Sequence, residues 1–291
     1  MKTIVMTGVS SGIGRVAAER LLALGCGVIG GVCEDGAPAR VDVRPLDLGD
    51  FDSVRRFASS LSGIRIDGLA LHAGVQLYDV KARTAQGFEK TFGVNHLGHL
   101  LLVRLLLPQL AEGAAVVFTT SGAHDPDAGH RFPPPLHARA EWLAYPERDP
   151  TASRWPMIAG LRAYTASKLC NVMTVRMLRK NLGLHACGVR VVAYDPGFTP
   201  GTGLVRDAPW MVRSVFWPMM LRLTFAPGIN SVNDAGFALA DLAEGTTVGD
   251  GTGYCSLRNG TLRWIKPSLL AMDDAACARL WMDSEKLLGM G

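Results

Sequence analysis

Residues Thr3 to Met6 form a short β-branched apolar run that leads directly into Thr7-Gly8-Val9-Ser10-Ser11-Gly12-Ile13-Gly14, and a helical pattern follows through Ala17, Leu21 and Leu24 to Gly25. No other stretch constrains the fold as tightly. Three glycines between a strand and a helix permit backbone angles closed to other residues. They also bring backbone N–H groups and the positive end of a helix close to one point, which suits a pyrophosphate. Ser10 or Ser11 is placed to cap the helix. The spacing is G-x-x-x-G-x-G, distinct from G-x-G-x-x-G, and a plain tight turn is the alternative.

The rest of the chain repeats this alternation. Short apolar runs lie at Val28 to Cys33, Val41 to Leu46, Gly68 to His72, Ala115 to Thr120 and Val189 to Tyr194. Helical patterns separate most of them: Asp52 to Leu61, Thr84 to Asn95 continuing through Leu110, and Tyr164 to Asn181. Strands without internal alternation, divided by helices, predict an α/β fold whose parallel sheet is covered on both faces. Residues 34–40 are too short and too rich in Gly and Pro for a crossover helix, so a turn is expected there. A single domain over 1–291 suits the length.

Composition removes several functions. A net charge of +4 without a lysine-rich block makes nucleic acid a poor partner. The six cysteines form no C-x-x-C and no Cys/His cluster, so no metal site is expected, and reduced thiols in a cytoplasmic protein are. The N-terminus reads as a strand rather than a secretory leader. The longest greasy run, Leu97 to Leu110, is broken by Gly98, His99 and Arg104, short of the roughly 20 apolar residues that a bilayer span needs.

Tyr164 and Lys168 stand four residues apart in LRAYTASKLCN, and on a helix they share a face. A carbonyl that accepts hydride gathers charge on oxygen and needs a proton donor within reach. A phenol with a pKa of about 10 is poorly matched to neutral pH. A neighbouring ammonium is expected to lower it. Ser121, closing the strand VVFTTS, is a candidate to hold the substrate oxygen, with a strand-end capping serine as its alternative. Asn95, in the apolar stretch FGVNHLGHLLLV, must be hydrogen-bonded if buried. His96 and His99 read as packing or surface residues.

Together TGVSSGIG and YTASK resemble the short-chain dehydrogenase/reductase family, closest in pattern to its retinol-dehydrogenase-like and light-dependent protochlorophyllide-reductase-like members. The resemblance covers almost the whole chain and implies a doubly wound Rossmann sheet that transfers hydride between a nicotinamide cofactor and a carbonyl or alcohol. It implies Tyr164 as general acid and base, Lys168 as its tuner and a ligand of the nicotinamide ribose, Ser121 on the substrate, and Asn95 in a proton relay. It further implies a cofactor site of Gly8, Ser10, Ser11, Gly12, Ile13, Gly14, Cys33, Asp47, Leu48, His72, Ala73, Gly74, Tyr164, Lys168, Pro196, Gly197 and Thr199. Val32 aligns where an acid would hold the ribose diol of NAD(H). NADP(H) is therefore favoured, with Arg15 and Arg40 as candidate phosphate partners, and NAD(H) through Glu34 is the alternative.

Departures narrow the reading. His72 replaces the usual asparagine, and Asp195 and Phe198 flank the Pro-Gly where the pigment reductases carry tyrosine and cysteine. These favour dark reduction of a bulky, mostly apolar carbonyl over pigment double-bond reduction. A non-catalytic dinucleotide-binding protein is the third reading. Ser121 and Tyr164 are 43 positions apart, an insertion at about 124–163 expected to form a partly ordered cover. A second covering region is expected at about 198–230, whose apolar part, 208–227, also suits a peripheral membrane contact or a homo-oligomer surface.

Overall fold

The computed structural model describes residues 1–33, 36–129, 132–201, 229–247, 249 and 251–290. Eight strands form one sheet: β1 (Thr3–Thr7), β2 (Gly27–Val32), β3 (Asp42–Pro45), β4 (Ile66–Leu71), β5 (Leu110–Thr119), β6 (Arg190–Asp195), β7 (Tyr254–Arg258) and β8 (Thr261–Trp264). Their order is β3-β2-β1-β4-β5-β6-β7-β8. Every neighbouring pair is parallel except β7 with β8, a hairpin turned by Asn259 (φ 49°) and Gly260 (φ 70°). The chain winds outward from β1 in one direction, then crosses back to β4 and winds in the other. The crevice at the carboxyl ends of β1 and β4 is therefore the switch point where such sheets bind ligands.

Helices cover both faces. On one face α1 (Gly12–Ala23) packs against α5 (Val232–Glu244), so closely that a Cβ on Gly236 would lie 2.5 Å from Val16 Cγ1. On the other lie α2 (Phe51–Ser60), α3 (90–106), α4 (Pro156–Arg179) and α6 (Asp274–Leu287). Helix α3 is continuous through Lys90–Phe92, Gly93–Leu97 and Gly98–Leu106, its middle five residues in π-helical form. It starts at Glu89, buried at 0% exposure, whose carboxylate accepts from Thr91 N at 2.9 Å and Phe92 N at 2.7 Å. The expected start at Thr84 is too early, because Thr84 N instead donates to Phe88 O across a turn. Phe57, Phe92 and Phe118 fill the core on this face, each worth about 1.5–3 kcal/mol by burial.

The helix expected from Tyr164 begins earlier, at Pro156, within the stretch expected as an insertion. Proline at the first helical position is preset for that start. The stretch expected as a partly ordered cover is in part built into the core. Ala140–Ala144 is a short helix with Ala140 and Ala144 in the main core, and Glu89 N donates to Ala144 O at 2.9 Å. Residues 36–41 contain no helix, as the Gly-Pro composition requires. The covering region from 202 to 228 lies outside the described residues.

Candidate active site

The glycine turn leaves β1 at Thr7. Its hydroxyl oxygen accepts from His72 N at 2.9 Å and Ala73 N at 3.0 Å, tying the end of β4 to the turn. Gly8 and Gly12 take φ of +78° and +53°. A Cβ on Gly14 would lie 2.0 Å from Gly8 O and 2.8 Å from His72 Cδ2, so only glycine closes the turn. Ser11 is the N-cap of α1, but its hydroxyl makes no capping bond. The first turn of α1 thus keeps its N-terminal donors directed at the crevice, and the cradle fits a pyrophosphate.

Tyr164 and Lys168 descend from α4 to the ends of β4 and β5, buried at 6% and 4% exposure. Lys168 Nζ lies 5.6 Å from the Tyr164 ring centroid and donates to Thr119 O at 3.1 Å. Ser121, just past β5, is near enough to Tyr164 to favour its phenolate form. Ser121 Oγ accepts from Ala123 N at 3.2 Å, the capping contact expected as the alternative for this hydroxyl. Asn95 sits in the π-helical turn, fully buried. Its Nδ2 donates to Val75 O at 2.9 Å and to Ser167 Oγ at 3.0 Å, and its Oδ1 accepts from Val75 N at 2.8 Å. A Cβ on Gly74 would lie 3.2 Å from Asn95 Oδ1 and 3.5 Å from Lys168 Nζ. The four groups and the glycine turn therefore share one end of the sheet.

The model of the short chain dehydrogenases matches residues 2–130. The chain is 31% identical to a chloroplastic protochlorophyllide reductase of Chlamydomonas reinhardtii, over 99% of this chain and 78% of that one. It is 32% identical to dehydrogenase/reductase SDR family member 13 of Bos taurus, over 100% of this chain and 74% of that one. The chain belongs to the short-chain dehydrogenase family. Members are oxidoreductases that use NAD(H) or NADP(H), and so is this one. A solved structure of an uncharacterised protein from Mycobacterium paratuberculosis superposes with a TM-score of 0.72 at 29% identity, covering 99% of this chain and 94% of that one.

Burial sets the electrostatics of this dehydrogenase. It lowers Lys168 to about 8. It raises the Tyr164 phenol above its usual value, reinforced by Asp195 and opposed by Ser121. The net direction is opposite to the lowering expected from Lys168, because desolvation of the phenolate is the largest effect. His72, half-buried, is held neutral at about 4 by desolvation and by Lys168, and its Nδ1 lies 3.0 Å from Thr119 Oγ1.

The remaining residues of the expected cofactor site follow the carboxyl ends of β2, β3 and β6. Cys33 is exposed past β2, while Leu48 is buried beside Asp47, whose Oδ1 accepts from Gly49 N at 2.8 Å. Pro196, Gly197 and Thr199 follow β6, where Gly197 has φ +65° and Thr199 Oγ1 donates to Pro196 O at 3.0 Å. Glu34 lies outside the described residues.

Sequence reasoning missed several supports. Asn230 Nδ2 donates to Pro196 O and Leu257 O at 2.9 and 2.8 Å, fixing the Pro-Gly turn. Asp195, 4% exposed, accepts from Ser256 Oγ at 2.8 Å and Gly197 N at 2.9 Å. No local motif marks Asn230, and Asp195 stands out in the sequence only as the residue before the Pro-Gly. His96 and His99 are fully interior, bonded to Ser284 and Thr7, so the surface reading falls away. Among the described residues, no helix is long and apolar enough to cross a membrane.

Proposed function

We propose that this dehydrogenase transfers hydride between NADP(H) and the carbonyl or alcohol carbon of a bulky, mostly apolar small molecule. The reading rests on the convergence of Tyr164, Ser121 and Lys168 beside the glycine turn. The nicotinamide, when bound, supplies or accepts the hydride. Tyr164 holds a proton that its raised pKa keeps in place at neutral pH, and releases it to an oxygen that gains charge. Ser121 orients that oxygen. Lys168 carries its charge to the inner end of the site and holds the cofactor ribose, and Asn95 braces the Val75 loop against α4 beside it.

NADP(H) is favoured by Val32 at the end of β2, the position from which an acid would repel a 2′-phosphate. Arg15 and Arg40 are its candidate partners, although Arg15 already pairs with Glu19 at 3.1 Å. An apolar substrate is favoured by Phe132, whose ring centroid lies 6.3 Å from that of Tyr164. Leu136 and Trp155, by contrast, are 50% and 73% exposed and Trp142 stacks on Arg139, so Phe132 alone of these side chains carries the cover idea. A cytoplasmic location belongs to the same proposal, supported by the buried thiols at positions 26, 170, 255 and 277.

A panel of small and polycyclic carbonyls with NADPH and NADH tests the reading. Turnover with NADPH on bulky substrates is expected, with that preference reduced in Phe132→Ala. Turnover confined to small polar carbonyls would overturn the substrate class, and tighter NADH binding would overturn the cofactor. The 31% identity to a protochlorophyllide reductase favours a second reading, double-bond reduction of a pigment. Light-dependent turnover of such a pigment without carbonyl reduction would establish it.

A further inference from the structure

Two buried imidazoles outside the reacting groups share one arrangement. His99 and His124 are each 1% exposed. Nδ1 of His99 lies 3.1 Å from Asn95 O, and Nδ1 of His124 lies 2.7 Å from Ser121 O. A carbonyl only accepts, so each Nδ1 carries a proton. On the far side of the second ring, Ser268 N donates to His124 Nε2 at 3.3 Å, so that nitrogen is bare. Thr7 Oγ1 is already occupied by the N–H groups of His72 and Ala73, which turns its own proton toward His99 Nε2 at 3.0 Å. Both rings are therefore neutral, with the proton on Nδ1. Burial agrees for His99, holding it at about 3.

The carbonyls they grip belong to two of the four residues at the reacting end. Asn95 needs the help. In its π-helical turn the usual ladder is displaced, with Gly98 N donating to Gly93 O five residues back. His99 then links that turn to Thr7, the residue that also holds the β4 end against the glycine turn. His124 links the Ser121 backbone to Ser268, the cap of the Leu269–Met272 helix, and its ring meets Tyr254 edge-on at 5.3 Å.

We propose that His99 and His124 are positioning residues of the hydride-transfer site, neutral rings that fix the Asn95 and Ser121 backbones against β1 and the C-terminal segment. The roles of Asn95 and Ser121 rest on the proposed function; the bonds do not. Displacing a reacting group by an ångström can cost about 100-fold in rate. The two clamps therefore act on turnover through Ser121 and Asn95, and His99 acts also on cofactor binding through Thr7.

Ring 15N spectra of the full chain labelled at histidine test the bonds without substrate or cofactor. His99→Asn and His124→Asn assign the signals. Protons on Nδ1 with bare Nε2 at neutral pH are expected for both, and a proton on Nε2 of either ring overturns its clamp. Asparagine places an N–H where Nδ1 stood, whereas glutamine places it near Nε2. On a bulky carbonyl, the Asn variants should keep kcat within a few-fold and the Gln variants should lose roughly 10- to 100-fold. His99→Gln should also raise the NADPH dissociation constant, and His124→Gln should leave it unchanged. Gln variants with wild-type kcat, or outperforming Asn, overturn the positioning role. A wild-type chain that reduces no carbonyl overturns the proposed function, while the spectra and the NADPH titration still decide the clamps.

Discussion

Tyr164 is buried near a carboxylate and its phenol is held protonated, which under the proposed function makes it the proton donor in reduction, though a weaker acid than a free phenol. Tyr164→Phe removes that proton and keeps the ring. Turnover should fall by about 10²–10⁴-fold while NADPH affinity stays near wild type. Unchanged single-turnover rates would refute the assignment. Lys168 poses the opposite problem. Its folded pKa of about 8 lies below the ordinary 10.5, so the folded chain binds fewer protons than the unfolded chain between these values. Stability therefore rises with pH across that window, and below about 8 the buried ammonium costs its full share, no more than roughly 3 kcal/mol. Lys168→Met in the cofactor-free chain should gain thermal stability at pH 7 and lose that advantage progressively toward pH 10. An advantage that is flat or grows with pH would show that Lys168 is not depressed.

At the scale of elements, close backbone approaches set the site. A Cβ on Gly160 would lie 2.5 Å from Leu77 O and 2.6 Å from Asp79 N, where the first turns of α4 dock on the loop after β4. Backbone atoms cannot swing aside as a side-chain tip can. Gly160→Ala should cost about 1–3 kcal/mol in urea unfolding, against the small gain a helical alanine ordinarily brings. A stabilised variant would mean that the loop yields. Gly160 was not legible in the sequence, because its constraint comes from a segment more than 80 positions away. The glycine turn, β1 to β6 and the Tyr164–Lys168 face were legible, since each is written in local spacing. The β7–β8 hairpin had a local signal that the reading passed over: Asn259-Gly260 is the two-residue turn that hairpins prefer. His99 and His124 had none. Their roles come from Thr7 and Ser268, which only the folded sheet brings near.

For the whole molecule, the insertion between Ser121 and Tyr164 decides how far the reading as a detachable cover extends. Long surface loops are tolerated because closure entropy grows slowly with length. This one is not only on the surface. The Tyr145 ring meets Phe88 edge-on at 5.7 Å, and Phe88 in turn meets Phe51 at 5.8 Å. Thr165 Oγ1 donates to Pro133 O at 2.9 Å, one residue from Tyr164, and His137 bonds Asp149 at 2.9 Å within the insertion. Replacing 126–154 by a short linker would re-expose Phe88, at roughly 1.5–3 kcal/mol, strip Ala140 and Ala144 from the core, and leave Glu89 N without Ala144 O. The deletion should therefore lower the unfolding midpoint sharply and reduce NADPH-dependent turnover on every substrate, small or bulky. Trp155→Ser, at a ring 73% exposed, provides the contrast and should leave the midpoint where it was. A deletion variant as stable as wild type, with only its preference for bulky carbonyls lost, would restore the insertion to a dispensable lid.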